Sequence, residues 1–218
     1  MSQSLFLDHL LLGCKNLETG IDFVEAKTGV RAVFGGVHPG RGTQNAVLSI
    51  QDRCYLEIIA PDPKQKEVTW FRELPGLSEP RLIQWGLRTD NMDGLSQRLR
   101  DADIAFSDPK EGSRVRPNGQ ILRWRKMDLV NDRKGLLPFF IEWSGDTVHP
   151  AQDAPSDCRL EQFNVLSPDM DVINPLLELF GFDLRVQSGE KDQLIAKLTG
   201  PGGSCDLIST FENVKPRS

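Results

Sequence analysis

The sequence predicts an α+β fold built from repeated β-α-β-β-β units, of which the third is partial. Short, continuously apolar runs alternate with single amphipathic stretches. The same order of elements occurs twice at similar spacing, which favours an internal duplication. The last strand of each copy carries a carboxylate between apolar residues, Glu57 in the first and Glu142 in the second. Because a charge inside an apolar strand is costly without a partner, the two carboxylates suggest one shared polar site.

The first unit is predicted over residues 1–60. Residues 5–12 are too short and too continuously apolar for an amphipathic helix, so they predict a strand. Asn16 is the expected N-cap of a helix that Gly29 ends. Three further strands are predicted at 30–37, 43–50 and 54–60, and Pro61 ends the unit.

The second unit is predicted over residues 82–144, after a connection at 61–81. Four prolines and many charges indicate the connection. The unit begins with a strand at 82–87, and Asp90 or Asn91 caps the helix that follows. Strands are expected near 112–116, 120–127 and 137–143, which repeats the order of the first unit.

A linker at 145–157 and a third, partial unit at 158–210 complete the predicted organisation. Prolines, glycine, aspartates and serines indicate the linker. The third unit has a strand at 160–165 and a helix that Gly181 closes. Strands are expected near 182–187 and 192–199, and one at 205–209 is left open.

Composition bounds the class of protein. The chain has 218 residues, a net charge of −5 and a pI near 5.3, which argue against a general binder of nucleic acid or anionic membranes. No apolar run has the length of a membrane span, and the N-terminus lacks the pattern of a secretory signal, so a cytoplasmic location is expected. The cysteines form no CxxC pair, which disfavours a zinc–thiolate site and predicts buried thiols.

Several phrases of the sequence resemble one known family. They are Leu7-Asp8-His9, the glycine-rich stretch 35–45, Tyr55 to Pro61, Leu122-Arg123-Trp124-Arg125, Leu137 to Trp143, and His149-Pro150. In this order they resemble the glyoxalase-like domain family of the vicinal oxygen chelate superfamily, which includes glyoxalases, bleomycin-resistance proteins and dioxygenases. The resemblance covers roughly residues 5–200. It implies that two β-α-β-β-β units lie side by side and form a cup-shaped curved sheet.

The resemblance also implies metal-ligand positions, one on the first and one on the fourth strand of each unit. Carried onto this chain, they are His9, Glu57, Trp85 and Glu142. Three of these residue types can bind a metal, and His9, Glu57 and Glu142 are the expected ligands of a divalent iron, manganese, nickel or zinc ion. Without a metal, Glu57 and Glu142 would be two close carboxylates, one of which could act as a general base. A structural ion pair between Glu142 and Arg123 or Arg125 is the alternative.

The expected substrate-binding residues are His38, Asn45, Trp85, Arg123 and Arg125. His38 and Asn45 lie in the glycine-rich stretch, which lacks the ending of a phosphate loop. Arg123 and Arg125 share one strand face and could bind an anion, unless that face is an exposed edge. Trp85 could wall the cup or be a plain core residue. No GxGxxG motif joins a strand to a helix, so no nucleotide cofactor is expected.

Two functions follow from this pattern. The first is a lyase, isomerase or dioxygenase that acts on a small oxygen-rich organic molecule, with a divalent metal or with acid–base chemistry. The second is a non-catalytic protein of the same fold that binds or sequesters a small molecule. The expected partner is a small molecule, with neither nucleic acid nor membrane. Because two units in one chain can form the cup, both a monomer and a homodimer are compatible.

Overall fold

The structure is a computed structural model that describes residues 5–209. Residues 1–4 and 210, which the predicted units include, lie outside this range. The first unit comprises β1 (Phe6–Gly13), α1 (Leu17–Thr28), β2 (Val33–His38), β3 (Thr43–Gln51) and β4 (Cys54–Pro61). The second comprises β5 (Arg81–Arg88), α2 (Met92–Asp101), β6 (Lys110–Val115), β7 (Ile121–Met127) and β8 (Phe139–Trp143). The third comprises β9 (Arg159–Ser167), α3 (Met170–Phe180), β10 (Gln187–Ser188), β11 (Gln193–Gly200) and β12 (Gly203–Ile208).

The first two units share one eight-stranded sheet in the order β2-β3-β4-β1-β5-β8-β7-β6. In each unit the first strand lies parallel to the fourth, β1 beside β4 and β5 beside β8. The two first strands, β1 and β5, pair antiparallel at the centre. The outer strands β2 and β6 approach each other, so the sheet curves into a nearly closed cup. The predicted α+β class and paired-unit architecture are confirmed.

Local sequence signals set the helix ends. The Asn16 side chain accepts a hydrogen bond from the backbone N–H of Thr19 at 3.3 Å, and Gly29 ends α1 with a left-handed φ of 75°. Asn91, the second of the two predicted caps, accepts from the N–H of Gly94 at 2.8 Å and begins α2. Gly181 ends α3 in the left-handed region, as predicted.

The third unit repeats the order of elements but not the pairing. Its strands form a separate four-stranded sheet in the order β10-β9-β11-β12. Here the first strand lies antiparallel to the third, whereas in the cup units it lies parallel to the fourth. The strand predicted at 182–187 is reduced to Gln187–Ser188. Phe182 and Leu184 pack on the core instead of pairing in a sheet, which is why the strand is so short.

The main core lies between the convex face of the cup sheet, the helices and the third unit. Trp85 is completely buried there. Its indole N–H donates to the carbonyl of Leu136 at 2.9 Å, and its ring contacts the rings of Phe163 and Phe182. This placement corrects the expectation that Trp85 binds substrate. The reason is strand alternation, which turns its neighbours Gln84 and Gly86 toward the concave face instead.

The four cysteines are unpaired and buried, as predicted. Among the described helices, none is both long and apolar enough to cross a membrane.

Candidate functional site

The concave face of the cup encloses a cavity of about 280 Å³. Alternate residues of the four central strands form its floor. These are His9 and Leu11 of β1, Tyr55, Glu57 and Ile59 of β4, Gln84 of β5, and Phe139, Ile141 and Trp143 of β8. His38, Asn45, Arg114, Trp124, Lys126 and Asp128 contribute the outer walls. A cavity lined by both aromatic and polar side chains is typical of a small-molecule site.

Glu57 is the carboxylate of this cavity. Its Oε2 lies 3.5 Å from Nε2 of His9, and its Oε1 lies 3.7 Å from Nε2 of His38. The Asn45 amide nitrogen donates to Oε1 at 2.5 Å. Four of the predicted site residues, His9, His38, Asn45 and Glu57, therefore come together at one place.

The surroundings keep Glu57 ionised and His38 neutral. Burial would raise the pKa of Glu57, but the two imidazoles, Arg114 and the Asn45 hydrogen bond outweigh it and lower that pKa. Burial lowers the pKa of His38 to about 4, against the opposing effect of Glu57. Nδ1 of His38 is 2.9 Å from the hydroxyl of Thr43, which orients the ring. At neutral pH the cavity thus holds a carboxylate beside an uncharged imidazole.

A completely buried aspartate, Asp8, holds His9 from behind. Asp8 Oδ1 lies 2.6 Å from Nδ1 of His9. Its Oδ2 accepts from the Trp143 indole N–H at 3.0 Å and lies 3.0 Å from Nε2 of His149. Burial would raise the pKa of Asp8, but the hydrogen bonds from His149 and His9 lower it far below its usual range. Asp8 is therefore ionised at neutral pH although it is buried.

The same contacts assign the tautomers of both histidines. Nδ1 of His149 accepts from the backbone N–H of Ala151 at 3.2 Å, so its Nε2 carries the proton that is donated to Asp8. His9 donates from Nδ1 to the same carboxylate, which leaves Nε2 directed at Glu57. The His9 ring also stacks on Tyr55, with centroids 4.6 Å apart. Local sequence could not show this network, because Asp8 and His149 are far apart along the chain.

Two cations of the cavity wall were also missed. Arg114 of β6 is only 4% exposed and donates to the Asn45 side-chain oxygen. Lys126 of β7 is paired with Asp128, and its ammonium lies 4.3 Å from the centre of the Phe139 ring. Burial lowers the pKa of Lys126. Both residues sit in strands rich in charge, where nothing local distinguishes an inward side chain from a solvated one.

The predicted connection at 61–81 covers part of the cavity. Thr69, Trp70 and Phe71 line it. The Thr69 N–H donates to the carbonyl of Arg41 at 2.9 Å, and the Trp70 ring lies 5.4 Å from that of His38. An aromatic pair inside an otherwise charged segment was the available signal for this role.

Glu142 does not face the cavity. Its Oε1 accepts from the backbone N–H of Met92 at the start of α2 at 2.9 Å, and its Oε2 accepts from Arg125 at 3.1 Å. Glu142 lies on the opposite face of β8 from Ile141 and Trp143, because side chains alternate along a strand. The expectation that Glu57 and Glu142 meet in one cup is therefore corrected. The contacts of Glu142 match the alternative of a structural ion pair.

Arg123 and Arg125 are likewise outside the cavity. Arg125 bridges Glu142 and Asp93, the latter at 2.6 Å. Arg123 is half exposed and lies 3.7 Å from Asp146. The two arginines do share one strand face, as predicted, but Trp124 and Lys126 occupy the face that lines the cavity. Their expected role in binding substrate within the cup is corrected accordingly.

The expected metal ligands do not converge. Within residues 5–209, no group of three or more His, Cys, Asp or Glu side chains is arranged to hold a metal ion. Leu10 of β1 pairs with Trp85 of β5, and the two residues occupy equivalent positions in the two units. The residues that precede them, His9 and Gln84, are therefore equivalent as well. Leu11 and Gly86, which follow Leu10 and Trp85, are likewise equivalent. Because Leu11 pairs with Glu57 and Gly86 pairs with Phe139, Glu57 and Phe139 occupy equivalent positions in the two units. The second unit thus offers an amide and an aromatic ring, and the predicted set of His9, Glu57 and Glu142 does not fit a metal.

Comparison with known proteins defines the class. A sequence profile described as the glyoxalase-like domain matches residues 7–180. The chain therefore belongs to the glyoxalase-like domain family, and the resemblance to that family seen in the sequence is confirmed. No curated protein matches the chain.

Solved structures resemble this chain at low sequence identity. A hypothetical protein from Staphylococcus aureus is 16% identical with a TM-score of 0.64, and the match covers 94% of this chain and 85% of that one. Streptomyces coelicolor methylmalonyl-CoA epimerase is 19% identical with a TM-score of 0.49, over 67% of this chain and 99% of that one. A hypothetical protein from Bacillus halodurans is 13% identical with a TM-score of 0.49, over 67% of this chain and 98% of that one. These likenesses concern the fold and assign no activity.

Proposed function

We propose that this protein is an enzyme of isomerase or lyase type that moves a proton at a carbon next to a carbonyl of a small organic molecule. One observation carries the proposal. The ionised Glu57 lies at the floor of an aromatic cavity, with the Nε2 atoms of His9 and His38 at 3.5 and 3.7 Å from its two oxygens. A buried carboxylate beside imidazoles is a usual arrangement for general acid–base catalysis.

The residues have distinct roles in this proposal. Glu57 takes the proton from the C–H bond, and the electron pair moves onto the carbonyl oxygen to form an enolate. The proton then returns to the enolate at carbon or leaves through His9, whose Nε2 is the nearer of the two imidazole nitrogens to Glu57. Asp8 is a positioning residue, because its carboxylate holds the His9 ring through Nδ1. The aromatic walls reduce the water content around the reacting atoms, which strengthens these electrostatic interactions.

A non-catalytic binding protein is the second candidate. The positions that the duplication relates to His9 and Glu57 hold Gln84 and Phe139, so the polar groups of the cavity come mainly from one unit. A cavity of this kind can bind a ligand without reacting with it. Metal-dependent lyase or dioxygenase chemistry, a cytoplasmic location and the choice between monomer and homodimer stay predictions.

Hydrogen–deuterium exchange tests the proposal. The protein is incubated in deuterated buffer with a panel of ketones, aldehydes and 2-oxo acids, and loss of the C–H signal next to the carbonyl is followed by proton NMR. Wild type should accelerate exchange of at least one compound, and Glu57→Gln should slow it by at least about a hundredfold, the usual contribution of a general base.

Glu142→Gln is the matched control. It makes the same carboxylate-to-amide change on the other face of the sheet, so exchange should continue at the wild-type rate. Exchange that persists in Glu57→Gln would refute the catalytic role. Saturable binding without any exchange in wild type would instead support the binding protein.

A further inference from the structure

We infer that Arg114 anchors a carboxylate group of the substrate, so that the substrate is a small carboxylic acid that also carries a carbonyl. This inference rests on the proposed function and names its substrate class. Arg114 lies on the inner face of β6 and lines the same cavity as Glu57. It is a buried cation, and a buried cation needs a compensating anion or a full set of acceptors.

The hydrogen bonding of Arg114 is incomplete. Its Nη1 donates to the side-chain oxygen of Asn45. Its Nε is buried and, among residues 5–209, has no hydrogen-bond partner. A guanidinium presents its donors as a planar fork that fits a carboxylate with two parallel hydrogen bonds. Because Arg114 lines the cavity, donors of its fork other than the enclosed Nε can meet the oxygens of a ligand carboxylate there.

The fold makes room for this arginine at the seam of the cup. A Cβ at Gly35 would lie 2.8 Å from Nη1 of Arg114, and one at Gly36 would lie 3.2 Å from its Cδ. Larger residues in the first part of the glycine-rich stretch would therefore displace the guanidinium. The Gly35-Gly36 pair is thus explained by close approach of an arginine from β6 to the backbone of β2.

Asn45 lies between the proposed anchor, Arg114, and the proposed base, Glu57. The same amide accepts from Arg114 and donates to Glu57 at 2.5 Å. Only one side-chain amide separates the guanidinium from the base, so a carboxylate on Arg114 brings the next carbons of the substrate close to Glu57. The carbon that loses its proton must then lie near the carboxylate, beside the carbonyl that receives the electron pair.

The charges of the cavity favour a carboxylate over a phosphate. Lys126 is paired with Asp128, and Arg114 and the ionised Glu57 attract each other across Asn45. A dianionic phosphate would leave one more uncompensated negative charge in this buried site than a carboxylate would, which is costly.

Binding of three compounds with one aromatic body tests the anchor: phenylpyruvate, its methyl ester and phenyl phosphate. Affinity is measured by calorimetry or by tryptophan fluorescence, which requires no turnover. In wild type the acid should bind at least about tenfold more tightly than the ester or the phosphate. Arg114→Met should remove this preference, and Arg114→Lys should recover only part of it because the fork is lost.

Arg125→Met is the matched control, since it removes an arginine outside the cavity and should leave the preference unchanged. Equal binding of acid and ester by wild type, preferred binding of the phosphate, or no binding of the acid at millimolar concentration would each overturn the anchor. If Arg114→Met fails to fold, the partial loss of preference expected of Arg114→Lys decides together with the comparison of acid and ester on wild type. An Arg114-dependent preference without any proton exchange would keep the anchor and refute the catalytic proposal instead.

Discussion

Acidification should destabilise this protein through a single imidazole, His38. The residue is 7% exposed, and burial lowers its pKa from 6.5 to about 4. The unfolded chain therefore binds a proton near pH 6.5 that the folded chain excludes until about pH 4. The contribution to stability is complete above pH 6.5 and is lost as the pH falls through this window. At about pH 5, roughly 2 kcal/mol of the free energy of unfolding should be lost through His38.

Urea denaturation of wild type and His38→Gln measures this loss. The free energy of unfolding of both proteins is measured at about pH 7.5 and about pH 5. The loss in wild type minus the loss in the variant gives the contribution of His38, because the other titrating groups are common to both. Wild type should lose roughly 2 kcal/mol more than the variant over this interval. Equal losses would refute the reasoning, since they would mean that His38 accepts a proton as readily when folded as when unfolded.

Three other substitutions test the placement of particular residues. Trp85→Ala should lower the free energy of unfolding by about 3–5 kcal/mol in denaturant titration, as expected for a core tryptophan, whereas a loss below about 1 kcal/mol would contradict its burial. Gly29→Ala should lower the melting temperature more than Gly119→Ala. Both glycines have positive φ (75° and 83°), but only at Gly29 would a Cβ meet backbone, 2.8 Å from the nitrogen of Gly202; equal shifts would exclude that contact. Asp8→Asn should cost about 2–4 kcal/mol, because an amide cannot accept from all the donors around it, and should alter the ¹⁵N NMR signature of the His9 tautomer; an unchanged signature would contradict the positioning role.

Four residues of the site could be predicted because they lie in one unit and in distinctive local sequence. His9 and Glu57 are polar residues within apolar strands, and His38 and Asn45 flank glycines, so their types and positions indicated a site before their distances were known. The structure places all four around one cavity. Arg114 could not be predicted in the same way, since an arginine in a charged strand is usually solvated.

The errors in the second unit have one physical cause. Strands β5 and β8 are buried on both faces, one against the core and one against the cavity, so their sequences lack the alternation that would reveal which residues face inward. A shift of one residue moves a side chain to the other face. Trp85 and Glu142 were therefore expected in the cup, while their neighbours Gln84 and Ile141 line it.

Local sequence was enough to predict the order of the elements, the helix ends at Asn16, Gly29 and Gly181, the duplication and the family, because caps and apolar periodicity are local properties. The tertiary structure alone decided which strand faces line the cup, how the third unit pairs, and which distant groups surround Glu57. Asp8 and His149 illustrate the reason. They meet at 3.0 Å only after the cup has closed, and a contact between residues so far apart leaves no mark on the sequence around either one.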